Sequence, residues 1–370
     1  MKERLTAVKE LVRRVLPWAG FPVFYVFCLL LFFTWTFPFD RLKERIVLGY
    51  NAQQRAGGSQ QELQVDDLSS SWITGLKLHG VRLISPSSDP TKPPTEIKID
   101  EATVRVSLLG LLVGNKDVTF HVGAFGGTID GSLEQHGKAK SIDVDIDGVD
   151  VGRVPQIADT FGGLPVQGTL SGSIKLDVPG EEKDKPLSTP KTSGVVTLEI
   201  AEMAIGDGKA KIKIPMFPGG APMELGLPRL NVGGFAFVAE AKEGVLTIKK
   251  FGAGGKDLEL QGDGRLALRE PWPDTGLDLN VRMKVNDSFR GKSDTTKTIF
   301  GAPGSSSALF DPIEIKKGVP ISKAKRPDGF YAWHFRGSLA HPDYTPAATA
   351  AFATPGVKGS PGEGRPFSSV

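Results

Sequence analysis

The sequence predicts a mostly β chain: an N-terminal single transmembrane helix, then an elongated, curved, mainly antiparallel β-sheet body with one or two short helices. Three observations predict it. The stretch "VLPWAGFPVFYVFCLLLFFTWTFPF", residues 15–39, contains no charged residue. From residue 62 onward, apolar residues recur at every second position, the period of a strand with one dry and one wet face. Glycine at 45 and proline at 27 make up about a fifth of the 370 residues without any triplet repeat, so turns are frequent.

The leading segment is read as a retained anchor. Its length, at about 1.5 Å rise per residue, exceeds the roughly 30 Å of a bilayer core. Trp18, Phe21, Phe24, Leu29, Leu30, Leu31, Phe32, Phe33, Trp35 and Phe37 are its membrane-facing residues, with the two indoles near the headgroup boundaries. Phe, Leu and Val cover every face at this length, which argues against a buried core helix. The run is longer than a signal-peptide core and lacks a small-residue cleavage site. Residues 1–14 carry Lys2, Arg4, Lys9, Arg13 and Arg14 against two glutamates, a net +3, whereas Asp40 to Arg45 nets +1. That asymmetry orients the N-terminus to the cytoplasm and exports the rest.

Five segments follow in order: a basic cytoplasmic N-terminus (1–14), the transmembrane helix (15–39), a juxtamembrane helix (40–58), a β-rich body (59–340) and a disordered tail (341–370). The juxtamembrane helix has Asp40 as N-cap, Leu42, Ile46 and Tyr50 on one face, and Gly57–Gly58 as its stop. In the body, "ELQVDDL", "GLKLHGVRLIS", "TEIKIDEATVRVSLL", "DVTFHV", "SIDVDIDGV", "GTLSGSIKLDV", "SGVVTLEI", "KAKIKI", "GFAFVAEAKEGVLTIKKF", "DLELQGDGRLALRE", "GLDLNVRMKV" and "YAWHFRGSLA" all alternate. "GTLSGSIKL", "LQGDGRLAL" and "FRGSLA" share glycine set among alternating apolar residues and read as repeated hairpin units. "DVGRVPQIADTFGGLP" reads as one short helix capped by Asp150. Residues 286–329 show no period. Met216, Phe217, Met223, Leu225 and Leu227, in "PMFPGGAPMELGLPRL", form an extended apolar segment that is the candidate partner or lipid surface.

Chemistry is sparse. His79, His121, His136, His334 and His341 are scattered, with no pair at ligand spacing. "DVDIDG" (143–148) imitates the start of a calcium loop, but its twelfth position is Val154 and its acids alternate with Ile142, Val144 and Ile146, so it is a strand. "GAGGKD" (252–257) lacks the first glycine and the hydroxyl of a phosphate loop. The lone Cys28 lies in the apolar segment, so no disulfide or thiolate metal site is available. With 45 basic and 42 acidic residues, no nucleic-acid surface is expected. No catalytic residue, metal or cofactor is predicted, and the chain reads as a non-enzyme.

The order of features resembles a known family. "FPVFYVFCLLLFFTWTFPFDRLKERI" is followed by "DDLSSSWITGLKLHGVRLISP", "KPPTEIKIDEATVRVSLLGLLVGNKDVTFHV", "GGTIDGSL", "GLPVQGTLSGSIKLDVP", "MAIGDGKAKIKIP" and "GKDLELQGDGRLALREP". Over residues 20–340 this resembles the type II secretion system protein N family (GspN) of deltaproteobacteria and, more distantly, AsmA-like envelope proteins. The resemblance implies a single-pass protein of the inner membrane with a periplasmic β body, an accessory to the machine that exports folded proteins. It carries no catalytic residues over. Other secretion-system proteins are the implied partners, through exposed strand edges or the 215–230 segment. The AsmA-like grammar implies instead phospholipid held along an apolar β groove.

Overall fold

A computed structural model describes residues 21–349 except 22–23, 26–27, 30–31, 33–35, 37, 57–60, 72–74, 87–93, 108–109, 111–112, 155–156, 158–160, 162, 181–190, 215–222, 270–271, 308, 313 and 317–318. Its strands are antiparallel and mostly hydrogen-bonded to their sequence neighbours, in one sheet of fourteen strands plus two two-stranded ribbons. The mostly-β prediction holds. The chain divides into two compact units near residue 113, with 117–123 belonging to the first.

The first unit contains α1 (Phe39–Ala56), β1 (Glu62–Ser71), β2 (Gly75–Ser85), β3 (Thr95–Val106) and most of β4 (Lys116–Ala124). Helix α1 starts one residue before the predicted cap, so Asp40 lies in its first turn, where its charge suits the helix dipole. Leu42, Lys43, Ile46, Val47, Tyr50 and Asn51 form its half-buried stripe, at the spacing of one helix face. That stripe meets β1. Asn51 treats Leu63 as a neighbouring strand would: its Oδ1 accepts from the Leu63 N–H at 2.8 Å and its Nδ2 donates to the Leu63 carbonyl at 3.3 Å. Lys43 donates to the Asp66 carbonyl at 3.0 Å and Tyr50 to Gln61 Oε1 at 2.9 Å. Among the described strands, β1 has only β2 as a hydrogen-bonded neighbour, so α1 covers its other edge.

The second unit adds β5 (Gly127–His136), β6 (Ala139–Asp150), β7 (Val166–Val178), β8 (Ser193–Ile205), β9 (Lys211–Ile214), β10 (Met223–Gly226), β11 (Leu230–Lys242), β12 (Val245–Gly254), β13 (Leu258–Ala267) and β14 (Gly276–Val285). Then come α2 (Asp287–Arg290), α3 (Asp294–Phe300), β15 (Glu314–Lys316), β16 (Val319–Pro320), β17 (Tyr331–Ser338) and β18 (Pro342–Pro346). Its long sheet runs β5-β6-β7-β8-β11-β12-β13-β14-β17-β18, with the β9–β10 ribbon set between β8 and β11 in the chain. Register slips at Ile146/Val149, Gln167/Thr169 and Asn231/Gly233 fall at matching levels of β6, β7 and β11. Such bulges bend and twist the strands that carry them.

Three expectations need correction. Residues 286–329 are a folded insertion: Phe289 and Ile299 are 1% exposed, and α3 begins with a capping box between Ser293 and Thr296. Helices of four and seven residues are too short to print a period in the sequence. The tail does not begin at 341, because Pro342–Pro346 pairs with β17 as an edge strand, the one place in a sheet where prolines fit. Asp150 does cap, but the turn it caps is a 3-10 turn at Val151–Arg153, accepting from the Gly152 N–H at 2.9 Å. The expected helix comes after it, with Ile157 helical and its carbonyl accepting from the Phe161 N–H at 3.3 Å, while 155–156 and 158–160 lie outside the described residues.

Replacing Asn51 with alanine leaves the half-buried Leu63 N–H and carbonyl without these partners. The expected cost is about 1–3 kcal/mol, read by chemical denaturation, with faster hydrogen exchange at Leu63.

Candidate functional site

The strongest candidate is the apolar face of the second unit's sheet. Along this face, register carries the apolar positions of one strand onto apolar or glycine positions of the next. One row reads Leu133, Ile142, Leu176, Gly194, Ala241, Leu246, Leu266, Leu277 and Gly337, taken pair by pair from β5 to β17. A second level brings Leu198, Phe237 and Phe251 together. Phe235 and Phe251 meet edge to face at 5.3 Å. Leu176, Val196, Ala239, Ala241, Leu246 and Ile248 are buried, whereas Ile142, Ile174, Leu198, Phe237, Phe251 and Leu279 on the same cluster are only half-buried.

Glycine is built into this face. Gly194 and Gly264 adopt φ of +145° and +148°, a region that residues with a Cβ avoid. A Cβ at Gly264 would lie 2.2 Å from the Asp278 carbonyl oxygen. The three segments read as repeated hairpin units are single strands, in β7, β13 and β17, whose Gly172, Gly262, Gly264 and Gly337 occupy apolar-face positions.

Two clusters close parts of the face. Leu164, Ile205, Val232 and Ala253 are covered by Phe161, Ala210 and Leu227 from the connections. At the other end Ile321, Ala324 and Tyr331 pack with Met283, Phe310 and Trp333, beneath the 286–330 insertion. Between them no long helix packs on the sheet: among the described residues of this unit, the longest helix has seven residues.

Buried polar groups fasten the insertion. Asp257, 2% exposed, accepts from the Asn231 N–H at 2.9 Å, from Lys292 at 3.0 Å and from Ser288 at 3.3 Å. Burial pushes its carboxyl up, but the Asn231 N–H and the Lys292 ammonium outweigh that and hold it below the usual carboxylate range. Tyr331 donates to Asp311 at 2.5 Å and Lys325 does so at 2.9 Å. Burial, then the Asp311 bond, raises the Tyr331 phenol. On the wet face Arg265 and His334 flank Asp278 at 3.7 and 2.7 Å. Asp263 beside them is raised, first by burial, against the opposing pull of its 3.4 Å bond from Asn280.

The sequence-predicted residues distribute as follows. Phe21, Phe24, Leu29 and Phe32 are helical and exposed; Lys2, Arg4, Lys9, Arg13, Arg14, Trp18, Leu30, Leu31, Phe33, Trp35 and Phe37 lie outside the described residues. Among the described residues no helix is both long and apolar enough to cross a membrane. Met216 and Phe217 also lie outside; Met223 and Leu225 are in β10, and Leu227 is a core contact. Asp143, Asp145 and Asp147 lie in β6, with Asp143 paired to Lys175 at 3.2 Å. Among the described residues no His, Cys, Asp and Glu groups gather as a metal site. Asp257, in the rejected phosphate-loop segment, escaped sequence reading because its partner Lys292 is 35 residues away. Searches of protein-family models, curated proteins and solved structures find no match to this chain.

Three outcomes follow from this geometry. Asp257→Asn should cost about 1.5–3 kcal/mol at pH 7. Because its folded pKa is depressed, the wild-type advantage is full above the unfolded value of about 3.9 and shrinks as pH falls through the folded value, which a denaturation series in pH measures. Asp263→Asn should stabilise at neutral pH, where the folded carboxylate is disfavoured, and lose that gain in acid. Gly264→Ala should cost at least about 1–3 kcal/mol by the same denaturation assay, since both φ and space oppose a Cβ.

Proposed function

We propose that this chain is an inner-membrane-anchored accessory component of a type II protein secretion system, its β body on the periplasmic side, acting by protein–protein contact. The observation that carries the anchor is a run of helical, solvent-facing apolar side chains ahead of α1: Phe21 is 76% exposed, and Phe24, Tyr25, Leu29 and Phe32 are exposed as well. Exposed apolar side chains of this kind suit an apolar surround, and the charge-free run of residues 15–39 favours lipid as that surround. The charge asymmetry of residues 1–14 and the motif order resembling the secretion protein N family support the direction and the assignment.

A second reading is favoured by the half-buried rows of the sheet: the face holds phospholipid acyl chains, as the AsmA-like resemblance implies. Burial there gives about 0.8 kcal/mol per methylene, so a dozen methylenes supply about 10 kcal/mol before ordering costs. No dedicated polar site is needed for that.

A C-terminal alkaline phosphatase fusion should be active, and crosslinked envelopes should yield other secretion components with the chain. A fusion active only as a cytosolic reporter, or envelopes yielding none of those components, contradicts the assignment. For the second reading, a photoreactive residue at Phe237 should form phospholipid adducts in living cells while one at Lys249, on the wet side, should not. Adducts at neither position leave a scaffold alone.

A further inference from the structure

Among the described strands the sheet has two terminal edges, and an edge strand is normally a template for pairing. The first, β1, is occupied by α1, whose Asn51 satisfies the N–H and carbonyl of Leu63. The second, β18, is bonded on one side to β17, with His334 opposite Thr345 and Arg336 opposite Asp343. The Ala347 N–H donates to the Ala332 carbonyl at 2.9 Å, which sets the parity of this ladder. Bonded pairs in an antiparallel ladder alternate with non-bonded ones. The backbone groups of Asp343 and Thr345 therefore face β17, and those of Pro342, Tyr344 and Pro346 face outward.

The outward side is short of donors. Pro342 and Pro346 have no N–H. The Tyr344 N–H donates instead to Asp343 Oδ1 at 3.0 Å. An incoming strand would find three carbonyl acceptors, two positions without a donor, and a third whose donor is engaged. Half of the ladder bonds cannot form, and the incoming strand's own carbonyls would lose water without a partner.

We infer that the sheet is guarded at both edges against strand addition, and that Pro342, Pro346 and the Asp343–Tyr344 contact are the guard at the C-terminal edge. The guard prevents a second copy of this chain from extending the sheet through β18. It also removes the two edges of the long sheet from the surfaces through which the sequence was expected to reach partners, leaving faces, loops, the two ribbons and the insertion. The inference rests on β17–β18 geometry and not on the secretion assignment, so either can fail alone.

The test uses the full chain in detergent, comparing wild type with P342T/D343T/P346T. Light scattering at increasing concentration should give one mass for the wild type and a concentration-dependent dimer for the variant. The dimer should protect the amides of residues 342–346 from hydrogen exchange. Each restored donor should lower the concentration at which dimers appear by about tenfold. P346V alone, which restores one donor and disturbs folding less, should dimerise the same way at higher concentration. A wild type that already dimerises with β18 protected, or both variants matching the wild type, overturns the inference.

Discussion

Strands β5 to β18 of the long sheet have to keep their apolar positions in step, because a side-chain period of two tolerates no slip. A shift of one residue in β8 alone would turn Val196 and Leu198 to the wet side and bring Thr197 among Ile174, Phe237 and Ala239. The polar face repeats the same discipline with charges: Arg265, Asp278, Arg336 and Asp343 lie opposite one another in sequence across four strands, alternating in sign. Register is thus specified twice, once by burial and once by electrostatics.

A sheet of this width, with no long helix among the described residues of its unit, has to cover its dry face by other means. Where the face ends, connections supply cover: Leu164 and Leu227 over Val232 at one place, Phe310 and Ile321 against Tyr331 at another. Bulges and inward glycines let the strands coil, since Gly194 and Gly264 adopt backbone angles closed to other residues. The insertion after β14 is fastened by ionic and phenolic contacts at its two ends, Asp257 with Lys292 and Asp311 with Tyr331, each bonded across at least 20 residues of sequence. These contacts, together with the buried Phe289 and Ile299, make the insertion part of the core.

Much of this was legible in the residues. "GLKLHGVRLIS" and "GLDLNVRMKV" coincide with β2 and β14 to the residue, because glycine marks each start and apolar positions alternate, without a break in β14 and with one change of phase at Gly80 in β2. Even the bulge of β12 is written in the sequence: Leu246 and Ile248 are even, Phe251 and Ala253 odd, and the Lys249–Lys250 doublet between them is exposed at both positions. What escaped has physical reasons. Strand β18 hides behind its prolines, which read as tail composition until an edge position is available to tolerate them. Short helices α2 and α3 carry no period. The Asp257–Lys292 pair is a long-range contact that no local pattern encodes.

One continuous apolar face, kept in step across the bulge of β12, organises the long sheet of the second unit. A cysteine scan of that strand in a Cys28→Ser background tests it most directly, using a polar maleimide on positions 246 to 251. With the bulge in place, labelling is fast at 247, 249 and 250 and slow at 246, 248 and 251. Uniform labelling, or simple alternation running unbroken through 250, would contradict it.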